Sequence, residues 1–195
     1  MTTTTSCSDD DDAEPEDTTE QSNGNGNGNG DDDDDDDDEG TSLEAYKEGF
    51  KLPNSITGDR TLSADTTYYL DGYVYVESGE LTIEPGTVIM GLKGSNITTD
   101  DNASSIIITT GATINAEGNE DDPIVFTSED DTKAIGGDSN LTPQDSMLGA
   151  GVIVLGEAPL GADSETLQIE GIPGEEPRAQ FGGSAEDDNS GIMKY

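Results

Sequence analysis

From Pro53 onward the apolar residues fall into short alternating runs, and the runs recur. Tyr68-Tyr-Leu-Asp-Gly-Tyr-Val-Tyr-Val76 leads into Gly79-Glu-Leu-Thr-Ile-Glu-Pro-Gly86 and then Thr87-Val-Ile-Met90. Ser105-Ile-Ile-Ile108 leads into Gly111-Ala-Thr-Ile-Asn-Ala-Glu-Gly118 and then Pro123-Ile-Val-Phe126. Within each run, neighbours point to opposite faces, as Leu81 and Ile83 do against Thr82. The runs are short, rich in Val, Ile, Thr and Tyr, and bounded by Gly, Pro, Asn and Asp, which marks them as strands. A third unit starts at Val152-Ile-Val-Leu155 and continues through Leu167-Gln-Ile169 to Ile192-Met-Lys-Tyr195.

The first glycines of the two full units, Gly79 and Gly111, are 32 residues apart. Three strands per repeat with glycine at the corners describes an all-β fold, a right-handed parallel β-helix, in which coils stack and inward side chains form ladders. Corners that require positive φ account for Gly79, Gly86, Gly111 and Gly118. An antiparallel sandwich is the alternative, but it needs hairpin turns that this repeat does not supply. Ser95–Ser104 and Ser128–Ser146 are too polar for the core and read as loops bulging from corners. Ahead of the repeat, Thr41 and Glu44 have capping-box spacing, and Leu43, Tyr46 and Phe50 share one helical face. This predicts a short helix that caps the first coil. At the other end, Ile192–Tyr195 reads as a strand with no cap behind it, which predicts further coils after it.

Charge divides the chain in two. The 195 residues carry 45 Asp and Glu against 7 Lys and Arg, a net charge of −38. Residues 1–39 hold 17 acids and no base, leaving 28 acids and all 7 bases to the remainder. Residues 1–41 have almost no apolar side chains to offset chain entropy and are expected to be a disordered acidic tether. Four Asn-Gly pairs at Asn23–Gly30 give flexibility, and the Asp31–Asp38 run extends by self-repulsion. Fully stretched, residues 8–41 reach on the order of 110 Å. Residues 42–195 form the folded part. This charge repels nucleic acid and anionic lipid, so no nucleic-acid partner is expected. The composition suits a secreted or high-salt setting.

Cys7 is the single cysteine, so no internal disulfide forms, and there is no histidine. Ser6-Cys7-Ser8 followed by Asp9–Asp12 resembles the junction of Bacteroidetes-type surface lipoproteins, whose cysteine carries the lipid and whose following acids direct the protein to the cell surface. That resemblance implies lipidation of Cys7, an apolar signal segment encoded upstream of Thr2, a membrane partner through the lipid, and an outer-membrane, surface-exposed location. From about Ile56 on, Tyr69-Leu-Asp-Gly-Tyr-Val-Tyr-Val, Leu81-Thr-Ile-Glu-Pro-Gly-Thr-Val-Ile and Gly111-Ala-Thr-Ile-Asn-Ala-Glu-Gly with Pro123-Ile-Val-Phe-Thr-Ser128 resemble a family of bacterial surface β-helix proteins. Val152–Leu155, Gln168–Pro173, Gly182-Gly183 and Glu186–Gly191 continue the resemblance in order. Met147-Leu-Gly-Ala replaces a segment where that family often carries Trp, and the family's chains run on past Tyr195. The resemblance implies fold and location rather than an activity.

Many parallel β-helices cleave acidic polysaccharides, using carboxylate-bound Ca²⁺ and a Lys or Arg base. Here Arg60, Lys93, Lys133, Arg178 and Lys194 are scattered along the folded part. The acid pairs Asp121-Asp122, Asp130-Asp131 and Asp187-Asp188 are expected to be solvated loop residues rather than a glycosidase pair. Asp100-Asp101-Asn102 and Glu186–Asn189 match no EF-hand and would hold Ca²⁺ only weakly. No catalytic or metal residue is assigned and no cofactor is expected. The expected function is a non-catalytic cell-surface lipoprotein presenting a β-helix for adhesion or glycan contact, with an extracellular glycan or surface protein as partner. The alternative is a carbohydrate-active β-helix, of lyase or glycosidase type, whose site lies in coils beyond this chain.

Overall fold

The structure is a computed structural model and describes residues 50–134, 139–145, 149–161, 165–172 and 174–195. The acidic tether with Cys7, and positions 41–49 of the expected capping helix, lie outside them. The last two residues of that helix, Phe50 and Lys51, are described and are not helical. Lys51 forms a parallel bridge with Tyr69, and Leu52 donates its N–H to the Tyr69 carbonyl at 2.9 Å. Strand pairing satisfies the Tyr69 carbonyl, and Leu52 rather than Phe50 is the residue buried here: Phe50 is 42% exposed and Leu52 1%. No α-helix occurs among the described residues.

Thirteen strands are described, and eleven of them wind around three parallel sheets. The first sheet stacks β1 (Ser55–Ile56), β4 (Tyr73–Val76), β7 (Ser105–Ile108) and β10 (Gly151–Val154). The second stacks β2 (Arg60–Leu62), β5 (Gly79–Ile83), β8 (Ala112–Glu117) and β13 (Gly191–Lys194). The third stacks β3 (Thr67–Leu70), β6 (Val88–Gly91) and β9 (Val125–Ser128). The chain visits the sheets in the fixed order first, second, third, so each circuit lays one coil on the last. This is a parallel β-helix.

The coil is shorter than the 32-residue repeat. Ser55 pairs with Tyr75, Arg60 with Leu81 and Thr67 with Val88, spacings of 20, 21 and 21. Tyr73 pairs with Ser105, a spacing of 32, because the corner between the third and first sheets has grown from Asp71-Gly72 to residues 92–104. The 32-residue offset is therefore one coil plus a loop, and a complete coil lies ahead of the two visible in the sequence.

Inward side chains form the expected ladders: Ile56 on Val76 on Ile108, Leu62 on Ile83 on Ala116, and Val74 on Ile106 on half-buried Val152. Two outer faces are also covered. Ile97 and Ala134, from the loops expected to bulge into solvent, lie with Tyr69, Val88, Met90 and Leu92 on the outside of the third sheet. The excursion between β10 and β13 packs Ile172 and Ala179 on Tyr73, Tyr75 and Ile107, on the outside of the first sheet. Within it, β11 (Leu167–Gln168) pairs antiparallel with β12 (Gln180–Phe181). Leu167–Ile169 is thus not the coil strand its alternation suggested. The strand that pairs with β8 is β13, which delivers Met193 rather than Leu167 to the end of the Leu62 ladder.

Gly79, Gly86 and Gly111 have φ of 77°, 82° and 82°, as expected at corners. Gly79 is also pressed by its neighbouring coil: a Cβ there would lie 2.5 Å from the Gly58 carbonyl carbon. Gly118 is different. Its φ is not positive, and its smallness serves close backbone approach, since a Cβ would lie 2.6 Å from the Tyr195 carbonyl oxygen.

Candidate functional site

The loops that follow β6 and β9 leave from one edge, the corner joining the third sheet to the first. The residues just past β3 and β9 there are Asp71 and Glu129, each 1% exposed. A buried carboxylate needs partners, and both find them in the loop 92–104. Asp71 accepts from the Thr98 N–H at 2.6 Å, from the Thr98 hydroxyl and from Lys51 Nζ at 2.9 Å. Burial pushes the Asp71 carboxyl up, but these bonds outweigh it and hold it below the usual range. Glu129 Oε1 accepts from the Lys93 N–H and from Asn96 Nδ2, both at 2.9 Å. The coil before the loop's own thus grips it from one side and the coil after grips it from the other.

Asp101 and Asn102 tie the same loop to the first sheet. Asp101 Oδ2 accepts from the Tyr73 N–H at 2.9 Å. The Tyr73 hydroxyl donates to Asn102 Oδ1 at 2.7 Å, with the Gly171 carbonyl of the excursion a longer acceptor at 3.3 Å. Burial and the Asp101 charge both push the Tyr73 phenol up, so it stays a donor. Between these anchors the loop encloses an open cleft of about 440 Å³. Leu92, Ile97 and Ala103 supply its apolar lining, and Lys93, Ser95, Asn96 and Asn102 its polar groups.

The acid pairs behave differently from one another. Asp130 and Asp131 are not the solvated pair expected. Asp131 is buried, and accepts from the hydroxyls of Thr127 and Ser139 at 2.8 Å each. Burial raises its carboxyl, and those bonds with the Asn140 N–H bring it below the usual range. Asp130 pairs with Lys93. Asp121 and Asp122 are exposed and donate their N–H groups to Asn119 Oδ1. Asp187 and Asp188 are exposed, and Asp188 accepts from Ser190. Asp100 is exposed beside half-buried Asp101. No group of three or more carboxylates converges on a common point among the described residues.

Four of the described cations are committed to carboxylates. Of the six described, Lys51 pairs with Asp71, Lys93 with Asp130 and Lys194 with Glu117. Arg178 grips Glu176 through Nε and Nη2, at 2.8 Å each, reaches Glu77 at 3.2 Å, and lies 3.8 Å from the centre of the Tyr75 ring. The bidentate bond holds the Glu176 carboxyl down at about 2 and raises Arg178 further above its ordinary value. Burial, then the Glu176 charge, pushes the Tyr75 phenol up to about 12. Arg60 and Lys133 are exposed. From sequence, Asp101 and Asn102 read only as weak Ca²⁺ ligands, and Asn96 carries no local signal of a site. Ile97, the one large apolar side chain within the polar stretch 93–104, is the signal that this loop folds back on the sheet.

Residues 54–195 match the model of a family described as a pectate-lyase like β-helix domain. No curated protein and no solved structure gives a match.

Proposed function

Since this chain belongs to the family of pectate-lyase-like β-helix domains, we propose that it is a non-catalytic member which presents the β-helix at a cell surface for glycan contact. The observation that carries this reading is the state of the cations. A lyase base must shed its proton to take one from the substrate. Arg178, which reaches Glu176 and Glu77 and lies over the Tyr75 ring, is fixed by two carboxylates that favour its charged form. Lys51, Lys93 and Lys194 are each neutralised by a carboxylate in the same way. The large negative charge adds repulsion toward an acidic polymer.

The acidic tether and the Ser6-Cys7-Ser8 junction support the location: a lipid on Cys7 anchors the chain and residues 8–41 lift the domain from the outer membrane. Mass spectrometry of the native protein tests this part. A lipidated cysteine at the mature N-terminus is expected, and an unmodified Met1 overturns it. The activity test is incubation with polygalacturonate and alginate, with and without Ca²⁺, following unsaturated chain ends by ultraviolet absorbance. No turnover is expected. Turnover abolished by Arg178→Ala would establish the second reading, a polysaccharide-cleaving β-helix, which the family's description favours.

A further inference from the structure

The cleft of the 92–104 loop holds two amides, and each is half used. Asn102 spends its Oδ1 on the Tyr73 hydroxyl, while its Nδ2 donates to no protein group among the described residues. Asn96 spends its Nδ2 on buried Glu129, while its Oδ1 accepts from no protein group among the described residues. Each amide is therefore oriented by a group behind it, leaving one fixed donor and one fixed acceptor on the lining of the same cleft. Ser95 adds a hydroxyl that can serve as either. We infer that this cleft binds an uncharged sugar residue, with Asn102 Nδ2 and Asn96 Oδ1 engaging its hydroxyls. A sugar hydroxyl both donates and accepts, so it satisfies an unmatched donor and acceptor together, as a carboxylate or an ammonium group does not.

Charge points the same way. Among the described residues that line the cleft the one cation, Lys93, is neutralised by Asp130, so none of them attracts an anion against the field of the chain. The carboxylates behind the loop, Asp71, Asp101 and Glu129, already accept from Lys51, Thr98, Tyr73, Lys93 and Asn96, so the cleft does not select a cation either. Leu92, Ile97 and Ala103 suit the apolar C–H face of a pyranose.

The inference rests on the glycan-contact reading, and the experiment separates the two. The full chain is titrated by calorimetry with neutral gluco-, xylo- and manno-oligosaccharides and with oligogalacturonate. At least one neutral series should bind more tightly than oligogalacturonate. Asn102→Asp, which replaces the free donor by an anion of the same shape, should weaken it by about tenfold. Asn96→Ala should weaken it several-fold, and Thr82→Ala, on the second sheet, should leave it unchanged. Circular dichroism of each variant reports whether the coil is intact. Neutral binding indifferent to both asparagine variants, or tighter oligogalacturonate binding, overturns the cleft assignment and leaves the wider reading standing. Failure of every oligosaccharide to bind overturns both.

Discussion

Gly79 bears two constraints at once, a φ of 77° and a neighbouring carbonyl carbon 2.5 Å from where a Cβ would lie. An alanine there meets backbone, which cannot swing aside as a side chain can, and also adopts a left-handed conformation. Gly79→Ala should cost about 1–3 kcal/mol in urea denaturation, whereas Gly58→Ala, with the same φ and open space around it, should cost about 1 kcal/mol. Equal losses would show that conformation alone matters. A second residue-level expectation concerns acid. Glu176 is held at about 2 by Arg178 against an ordinary value of 4.5. Its folded value is depressed, so its contribution is complete above the unfolded value and disappears as pH falls from about 5 toward 2. Because Arg178 is more than a third exposed, that contribution is about 1 kcal/mol. Glu176→Gln should melt lower than the parent at pH 7, and the gap should narrow below pH 5 and close only near pH 2. A gap independent of pH would mean that the pair acts through packing on Tyr75 rather than through charge.

Strand β7 shows how an element is built to be covered on both sides. Ile106 and Ile108 face the inner ladders, while Ile107 faces outward under Leu155, Ile172 and Ala179, and all three isoleucines are fully buried. Ile107→Ala should therefore cost about 2–4 kcal/mol, as for a core residue, although it points out of the helix. Thr82→Ala, outward on the half-exposed second sheet, should stay within about 0.5 kcal/mol. Equilibrium urea unfolding of both checks the contrast. The same elements show what sequence can carry. Tyr73–Val76, Gly79–Ile83 and Ala112–Glu117 alternate long enough to declare strand and face, and their parallel stacking followed from the repeat. Ser55–Ile56 and Arg60–Leu62 offer one inward residue apiece, Ile56 and Leu62, too little to mark a coil. Leu167–Ile169 alternates like a coil strand, and only the competing register of β13 on β8 assigns it to the excursion. The cleft was illegible for a related reason. Asn96 depends on Glu129, 33 positions away, and Asn102 on Tyr73, 29 positions away, and no local pattern encodes those meetings.

For the molecule as a whole, a net charge of −38 on 195 residues sets the terms of stability. Self-repulsion opposes the compact state, while the few ion pairs described are largely at the surface and contribute little. Raising NaCl from about 10 mM to 150 mM shortens the screening length from about 30 Å to 8 Å, so the melting temperature should rise over that range. A fall would show that the ion pairs outweigh the repulsion. The register of the coils has a further consequence, in time rather than in energy at equilibrium. Successive strands of the second sheet meet across 21 residues for β2 and β5, 33 for β5 and β8, and 77 for β8 and β13. Closing the last of these loops costs about 1 kcal/mol more entropy than closing the first, and the excursion must find its own place before β13 can dock. Assembly should therefore run in one direction, with β1–β6 zipping first and β13 arriving last. Pulse-labelled hydrogen exchange during refolding would show this as protection of the Tyr75 and Glu84 amides, bonded to Asn54 and Leu62, well before those of Ile114 and Gly118, which the Ser190 and Lys194 carbonyls satisfy.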